Sequence, residues 1–174
     1  MQGIDYGMGI VTIEDKTSEY TKDPMIKEDL PENGVFVFAS NKQGAHAGGS
    51  AHFAHTELGA EWGIGEGPTG RCYAFPTLNF GKTQLRNDPD RYDGLDCKVS
   101  VEELDESWKK LVEYMKSKPE NKFYITKVGL GIAGYDLHTI HKSFWDAGIP
   151  FLFSREQVVY PIDFEMPDDC IKNW

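Results

Sequence analysis

Cysteine is scarce in this 174-residue chain, and the three present, Cys72, Cys97 and Cys170, lie far apart without a CxxC pair. An odd, dispersed set of this kind excludes a disulfide framework and zinc-ribbon spacing. Long apolar runs are also missing, none approaching the roughly 18 residues that span a bilayer. The opening residues, MQGIDYGMGIVTIEDK, lack a basic stretch followed by an apolar one. No secretory signal is read there, and a cytoplasmic location is expected. Positive charge is in deficit: 18 Lys and Arg stand against 28 Asp and Glu, for a formal net charge of −10. That balance opposes a nucleic-acid polymer or an anionic membrane surface as partner. A small anion stays compatible, because main-chain N–H groups hold phosphates without a basic surface.

What is present points to a folded domain. Apolar residues make up 40% of the chain and aromatics 13%, enough to bury a core at this length. Residues 1–34 read as an extension. Ile10 to Ile13 offers a short edge strand, but the stretch that follows is polar, charged and broken by Pro24 and Pro31. The unit proper spans 35–174. It opens on Val35-Phe36-Val37-Phe38, a continuous apolar run expected in a strand covered on both faces. A Gly-rich loop over 41–49 leads into a predicted helix over 50–58, stopped by Gly59. The segment 62–67 is too rich in glycine for a regular element. A short strand is expected over 71–75, halted by Pro76, then an excursion over 79–98 containing Asp88-Pro89-Asp90.

A helix is predicted over 101–117. Ser100 and Glu103 have capping-box spacing, and Val101, Leu104, Trp108, Leu111, Val112 and Met115 share one face. Residues 123–128 read as a strand entering Gly129-Leu130-Gly131-Ile132-Ala133-Gly134. Asp136 is placed to cap another helix, with Leu137, Ile140, His141 and Phe144 on one stripe and Gly148 ending it. Strands are expected at 150–154 and 158–160. Strands alternating with helices imply a layered α/β fold.

Two strand–loop–helix junctions carry the functional reading. Ser40-Asn41 leads to Gly48-Gly49-Ser50 at the start of a helix, where unpaired N–H groups and the positive dipole end favour phosphate. The second loop, Gly129 to Tyr135, repeats the arrangement, and its glycines permit positive φ and close ligand approach. Gly129, Gly131 and Gly134 match GxGxxG, yet no acidic residue ends a second strand about 20 residues on, so this is not the dinucleotide fingerprint. An ordinary strand-to-helix turn is the competing reading for each loop. Two such loops at strand ends point to one shared anion cleft.

The ordered blocks Val35-Phe-Val-Phe-Ala-Ser-Asn41 with Gly48-Gly49-Ser-Ala-His-Phe-Ala54, Tyr73-Ala-Phe-Pro-Thr77, and Ile125-Thr-Lys-Val-Gly-Leu-Gly-Ile-Ala-Gly-Tyr135 together resemble the macro-domain pattern over about residues 35–154. The pattern also looks like macro-domain-like proteins of bacteria and phages. The resemblance implies a three-layer α/β/α fold with a mixed sheet and an ADP-ribose-type or related NAD-derived or cyclic nucleotide ligand. It implies that Asn41, beside Ser40, faces the distal ribose, that Gly48, Gly49 and Ser50 lie at the pyrophosphate, and that Gly129, Gly131, Ile132, Ala133, Gly134 and Tyr135 cradle the phosphates. Some relatives hydrolyse ADP-ribosyl bonds. One branch has a lysine after the Pro-Thr step and an aspartate in the late loop. Here those positions are Leu78 and Ala133, which favours binding over turnover.

Remaining candidates have plainer alternatives. Asn41, His46 and Asp136 are the catalytic candidates for an ADP-ribosyl hydrolase, Asp136 fitting equally as a helix cap. His46 suits ligand contact or acid–base work because an ordinary imidazole titrates near neutrality. His52 with His55, and His138 with His141, are three residues apart on helices and could each supply two metal ligands to a hydrolase. No further ligand is evident nearby, so no metal or other cofactor is assigned. Glu66 could serve as a base and Arg71 could meet a phosphate. Tyr135 or Phe153 could cover a base, although aromatics beside strands are usually core. Cys72 is expected to be buried rather than nucleophilic. A protein-interaction module whose glycine loops are only turns is the last alternative.

Overall fold

In the computed structural model, residues 30–80, 97–131, 133–161 and 164 are described. The elements in chain order are β1 (Gly34–Asn41), α1 (Gly49–Glu57), β2 (Gly67–Thr69), β3 (Cys72–Leu78), α2 (Val101–Ser117), β4 (Lys122–Ile125), α3 (Leu137–Asp146), α4 (Ile149–Leu152) and β5 (Val158–Val159). The chain is a mixed α/β protein built on one five-stranded sheet of order β2-β3-β1-β4-β5. β1 is central and parallel to both β3 and β4, β5 is parallel to β4, and only β2 runs antiparallel, against β3. The expected edge strand at 10–13 and residues 81–96 of the 79–98 excursion fall outside the described residues, as does most of the 1–34 extension.

Strand alternation sorts the core into two sets. Val35 and Val37 of β1, with Tyr73, Phe75, Phe123, Ile125 and Val158, pack with the buried residues of α2 and α3. Phe36 and Phe38, with Cys72, Ala74, Tyr124 and Val159, pack instead with Ala51, Phe53 and Ala54 of α1. That division is what right-handed crossovers require. The β1-to-β3 connection runs one way along the sheet, and β3-to-β4 and β4-to-β5 run the other, so α1 lies on the face opposite α2 and α3.

Local chemistry explains the two long helix starts on that second face. Ser100 caps α2 with both halves of a capping box, Glu103 N–H donating to Ser100 Oγ at 3.1 Å and Ser100 N–H to Glu103 Oε1 at 3.3 Å. Asp136 caps α3 by accepting Thr139 N–H at 2.9 Å. Leu104, Trp108, Leu111, Val112 and Met115 are buried as their periodicity predicts, whereas Val101, in the first turn, is 45% exposed. Leu137 sits likewise in the first turn of α3 and is exposed, while Ile140, His141 and Phe144 are buried.

Three local expectations are corrected. The strand expected at 150–154 is the short helix α4. Gly148 takes φ +82 after α3, and Pro150 sits in the first helical turn, where no N–H is needed. Phe151 and Leu152 N–H both return to the Gly148 carbonyl at 2.9 Å. Pro76 does not halt β3, which continues to Leu78. Phe36 N–H donates to Arg71 O, which turns the odd-numbered N–H groups of β3 toward β1 and leaves position 76 facing the β2 side. There the last β2 pair is Gly67–Ala74, so the missing N–H breaks no ladder. The glycine-rich middle segment also contributes a regular element, β2, beginning at Gly67.

Candidate functional site

β1 and β4 are neighbouring parallel strands, and the two glycine loops leave their carboxyl ends. From β1 the chain departs toward β3 through α1; from β4 it departs toward β5 through α3 on the other face. Adjacent strands whose connections diverge in this way open a crevice between them, the usual ligand position in open α/β sheets. The ladder shows where it starts. Lys122 N–H donates to Asn33 O at 3.0 Å and Thr126 N–H to Val37 O at 3.1 Å. Beyond Val37 no described strand lies beside β1 on this side, while β1 runs on to Asn41.

Both loops hold main-chain N–H groups without a hydrogen-bond partner among the described residues. α1 is the contrast to α2 and α3: its N-cap is Gly48, with no side-chain cap and no acidic residue in the first turn. The first helical bond recorded from its start is His52 N–H to Gly48 O. Gly49, Ser50 and Ala51 therefore hold N–H groups without intrahelical partners. In the second loop, Leu130, Gly134 and Tyr135 N–H curl back onto Lys127, Gly131 and Gly129 carbonyls. The N–H groups of Gly129, Gly131 and Ala133 make no hydrogen bond among the described residues. A Cβ added at Gly49 or Gly131 would meet nothing within 4 Å. Gly129 is different: it is buried at φ +83, and a Cβ there would lie 2.4 Å from Ile140 Cδ1. Gly129 sets the turn, and Gly131 faces open space.

Several predicted residues are spent on shaping the loops. Asn41 is buried, and its amide clips the first loop: Nδ2 donates to Ala45 O at 2.9 Å and Oδ1 accepts Ala45 N–H at 3.0 Å. Ser40 Oγ donates to the Gly65 carbonyl. Tyr135 is buried in the α2/α3 core with its hydroxyl donating to Val99 O, while Phe153 is half-buried against the same core. Ile132 lies outside the described residues.

The acid–base candidates are constrained too. His46 is fully buried. Its Nε2–H donates to Glu61 O at 3.0 Å, and Nδ1 has no hydrogen-bond partner. Burial lowers its pKa, an effect only partly offset by the Glu61 carbonyl. The Thr139 hydroxyl and N–H hold the exposed Asp136 carboxyl below its usual range, which makes it a cap rather than a strong base. Glu66 accepts Ser107 Oγ at 2.8 Å and pairs with Lys110 at 3.2 Å. Arg71 donates to the Leu30 and Pro31 carbonyls. Burial raises the Cys72 thiol to about 12. His52 and His138 are exposed and His141 is buried, while His55 Nδ1–H donates to Ala60 O at 2.7 Å. Among the described residues no three His, Cys, Asp or Glu side chains form a group that could hold a metal.

A separate cleft of about 470 Å³ lies between the end of β1 and the start of α2. Glu66, Glu102, Glu103 and Glu106 line it with Lys42 and Lys110; Lys42 pairs with Glu103. None of the loop glycines from 48–49 or 129–134 borders it, and its net negative charge suits no phosphate.

Sequence reasoning placed Trp62 beside the middle glycine segment with Glu66 and Arg71 but gave it no role. It is 56% exposed, and its ring stands 6.1 Å from that of His46 and 5.6 Å from that of His55. The available signal was a lone large aromatic inside a glycine-rich segment.

No family model, curated protein or solved structure matches the chain. Among the described residues no helix is long and apolar enough to cross a membrane.

Proposed function

We propose that the chain binds ADP-ribose or a related NAD-derived or cyclic nucleotide in the crevice between β1 and β4, as a three-layer, macro-domain-like α/β/α domain. One observation carries the reading: two sets of unpaired main-chain N–H groups sit at the carboxyl ends of adjacent parallel strands. Donors of this kind suit a pyrophosphate, which takes hydrogen bonds from several amides at once. They also reconcile an anionic ligand with a chain of net charge −10.

Binding is favoured over hydrolysis by the state of the acid–base groups. His46 is fully buried with its Nε2–H committed to the Glu61 carbonyl, Asp136 is engaged as a cap, and Leu78 is an apolar core residue at the end of β3. A thermal-shift screen of the full chain against ADP-ribose, NAD, cyclic dinucleotides and nucleoside monophosphates tests the proposal. At about 100 times its dissociation constant, the right ligand adds about 2.7 kcal/mol of stability. Failure of every phosphate-bearing nucleotide at millimolar concentration to raise the melting temperature would end it.

A further inference from the structure

We infer that Trp62 is the surface on which the base of the bound nucleotide stacks, an inference that rests on the nucleotide reading above. Among the described residues the other tryptophans are Trp108, fully buried among core aromatics, and Trp145, partly buried against the same core with its ring beside the exposed Phe151. Trp62 is the exception, more than half exposed in a segment with no core of its own. Ile64, also exposed, extends the same apolar lip.

An exposed tryptophan alone would mean little; its mounting gives it a purpose. The 61–65 segment is locked to the first glycine loop through the backbone. Gly63 N–H donates to Gly44 O at 2.8 Å, and Ser40 Oγ donates to Gly65 O. The approach is so close that a Cβ on Gly44 would lie 2.3 Å from the Gly63 carbonyl carbon, and one on Gly65 2.3 Å from Asn41 O. The indole ring is further held by the His46 and His55 rings, at interplanar angles of 67° and 71°. Each imidazole is itself fixed by a backbone carbonyl, from Glu61 and Ala60. A flat, preorganised aromatic surface that keeps its open area toward solvent is what base stacking needs.

The position fits the phosphate donors. His46 is two residues before Gly48, at most about 7 Å of extended chain. His55 is six residues after Gly49 along α1, a rise of about 9 Å. Trp62 packs against both rings, and through His46 it lies beside the loop that leads into the uncapped start of α1.

Calorimetric titration of the full chain with ADP-ribose and with ribose 5-phosphate, which lacks a base, tests this. Trp62→Ala should weaken ADP-ribose about five- to hundredfold and leave ribose 5-phosphate unchanged, while Trp62→Phe keeps most of the affinity. Equal ADP-ribose affinity in Trp62→Ala and wild type would overturn the stacking role and leave the loops' role standing. Equal weakening of both ligands would overturn it as well, showing loop damage instead. If wild type binds neither, the ADP-ribose reading falls and takes this inference with it.

Discussion

Gly131→Glu separates ligand binding from folding at a single position. Gly131 is exposed, its φ lies outside the left-handed region, and a Cβ there meets no atom within 4 Å. A side chain is therefore accommodated, and the melting temperature without ligand should stay within the small range of surface substitutions, about ±0.5 kcal/mol. The introduced carboxylate reaches within about 6 Å of any anion held on the loop's own N–H groups. At an effective dielectric of about 20, one such charge pair costs about 3 kcal/mol, or about a hundredfold in affinity. Wild type at about 100 times its dissociation constant gains about 2.7 kcal/mol, a shift of about 5–11 °C for a chain of this size. The variant at the same ligand concentration sits near its own dissociation constant and gains only about 0.4 kcal/mol, or about 1–2 °C. Differential scanning fluorimetry with and without ADP-ribose reads both quantities. A full ligand shift in Gly131→Glu would refute the idea that the β4 loop holds the anion, and a collapse of the ligand-free melting temperature would refute the account of its open backbone.

Further outcomes follow from the same geometry. His46 is buried with a lowered pKa, so the unfolded chain takes up a proton at its ordinary value near 6.5 before the folded one does. Its contribution is present above that pH and is lost as pH falls toward the folded value. Urea titrations between pH 7.5 and 5.5 should show wild type losing more stability than His46→Gln, and parallel curves would contradict this. Gly44→Ala places a Cβ against the Gly63 backbone at φ +67 and should cost at least about 1 kcal/mol; an unchanged urea midpoint would disprove the interlock. Ser100→Ala removes the cap of α2 and should cost about 1 kcal/mol with an unchanged m-value.

The parts of the fold that were legible in sequence are those governed by local chemistry. The apolar run at Val35–Phe38, the capping box at Ser100 and the cap at Asp136 each appear where their residues demand. Pro150-Phe-Leu-Phe was misread because a short apolar run does not distinguish strand from buried helix; the usable signal was a proline two residues after a glycine. Pro76 was misread because its tolerance depends on which neighbour β3 has at that point, a tertiary fact. At the site, the glycines announced backbone exposure but not which of them faces solvent. Gly129 and Gly131 are chemically identical, and the φ of +83 and the packing of Ile140 and Tyr135 at Gly129 tell them apart. Asn41 illustrates the same limit: its residue type suits a ribose or an Asx-like clip, and the amide makes the clip to Ala45.

The placement of β1 also shapes how the chain must be made. Its β4-side neighbour arrives late: the hydroxyl of Thr126 that closes on Val37 comes from 89 residues further along. At about 5–20 residues per second, a ribosome needs about 4–18 seconds to supply it. Throughout that interval Val35 to Phe38 has at least one unpaired edge, and both until β3 is made, a four-residue β-prone stretch of the sort that pairs with copies of itself. Slowing synthesis between residues 41 and 126 should lower the soluble yield, which makes codon choice in that interval a practical variable for producing this protein.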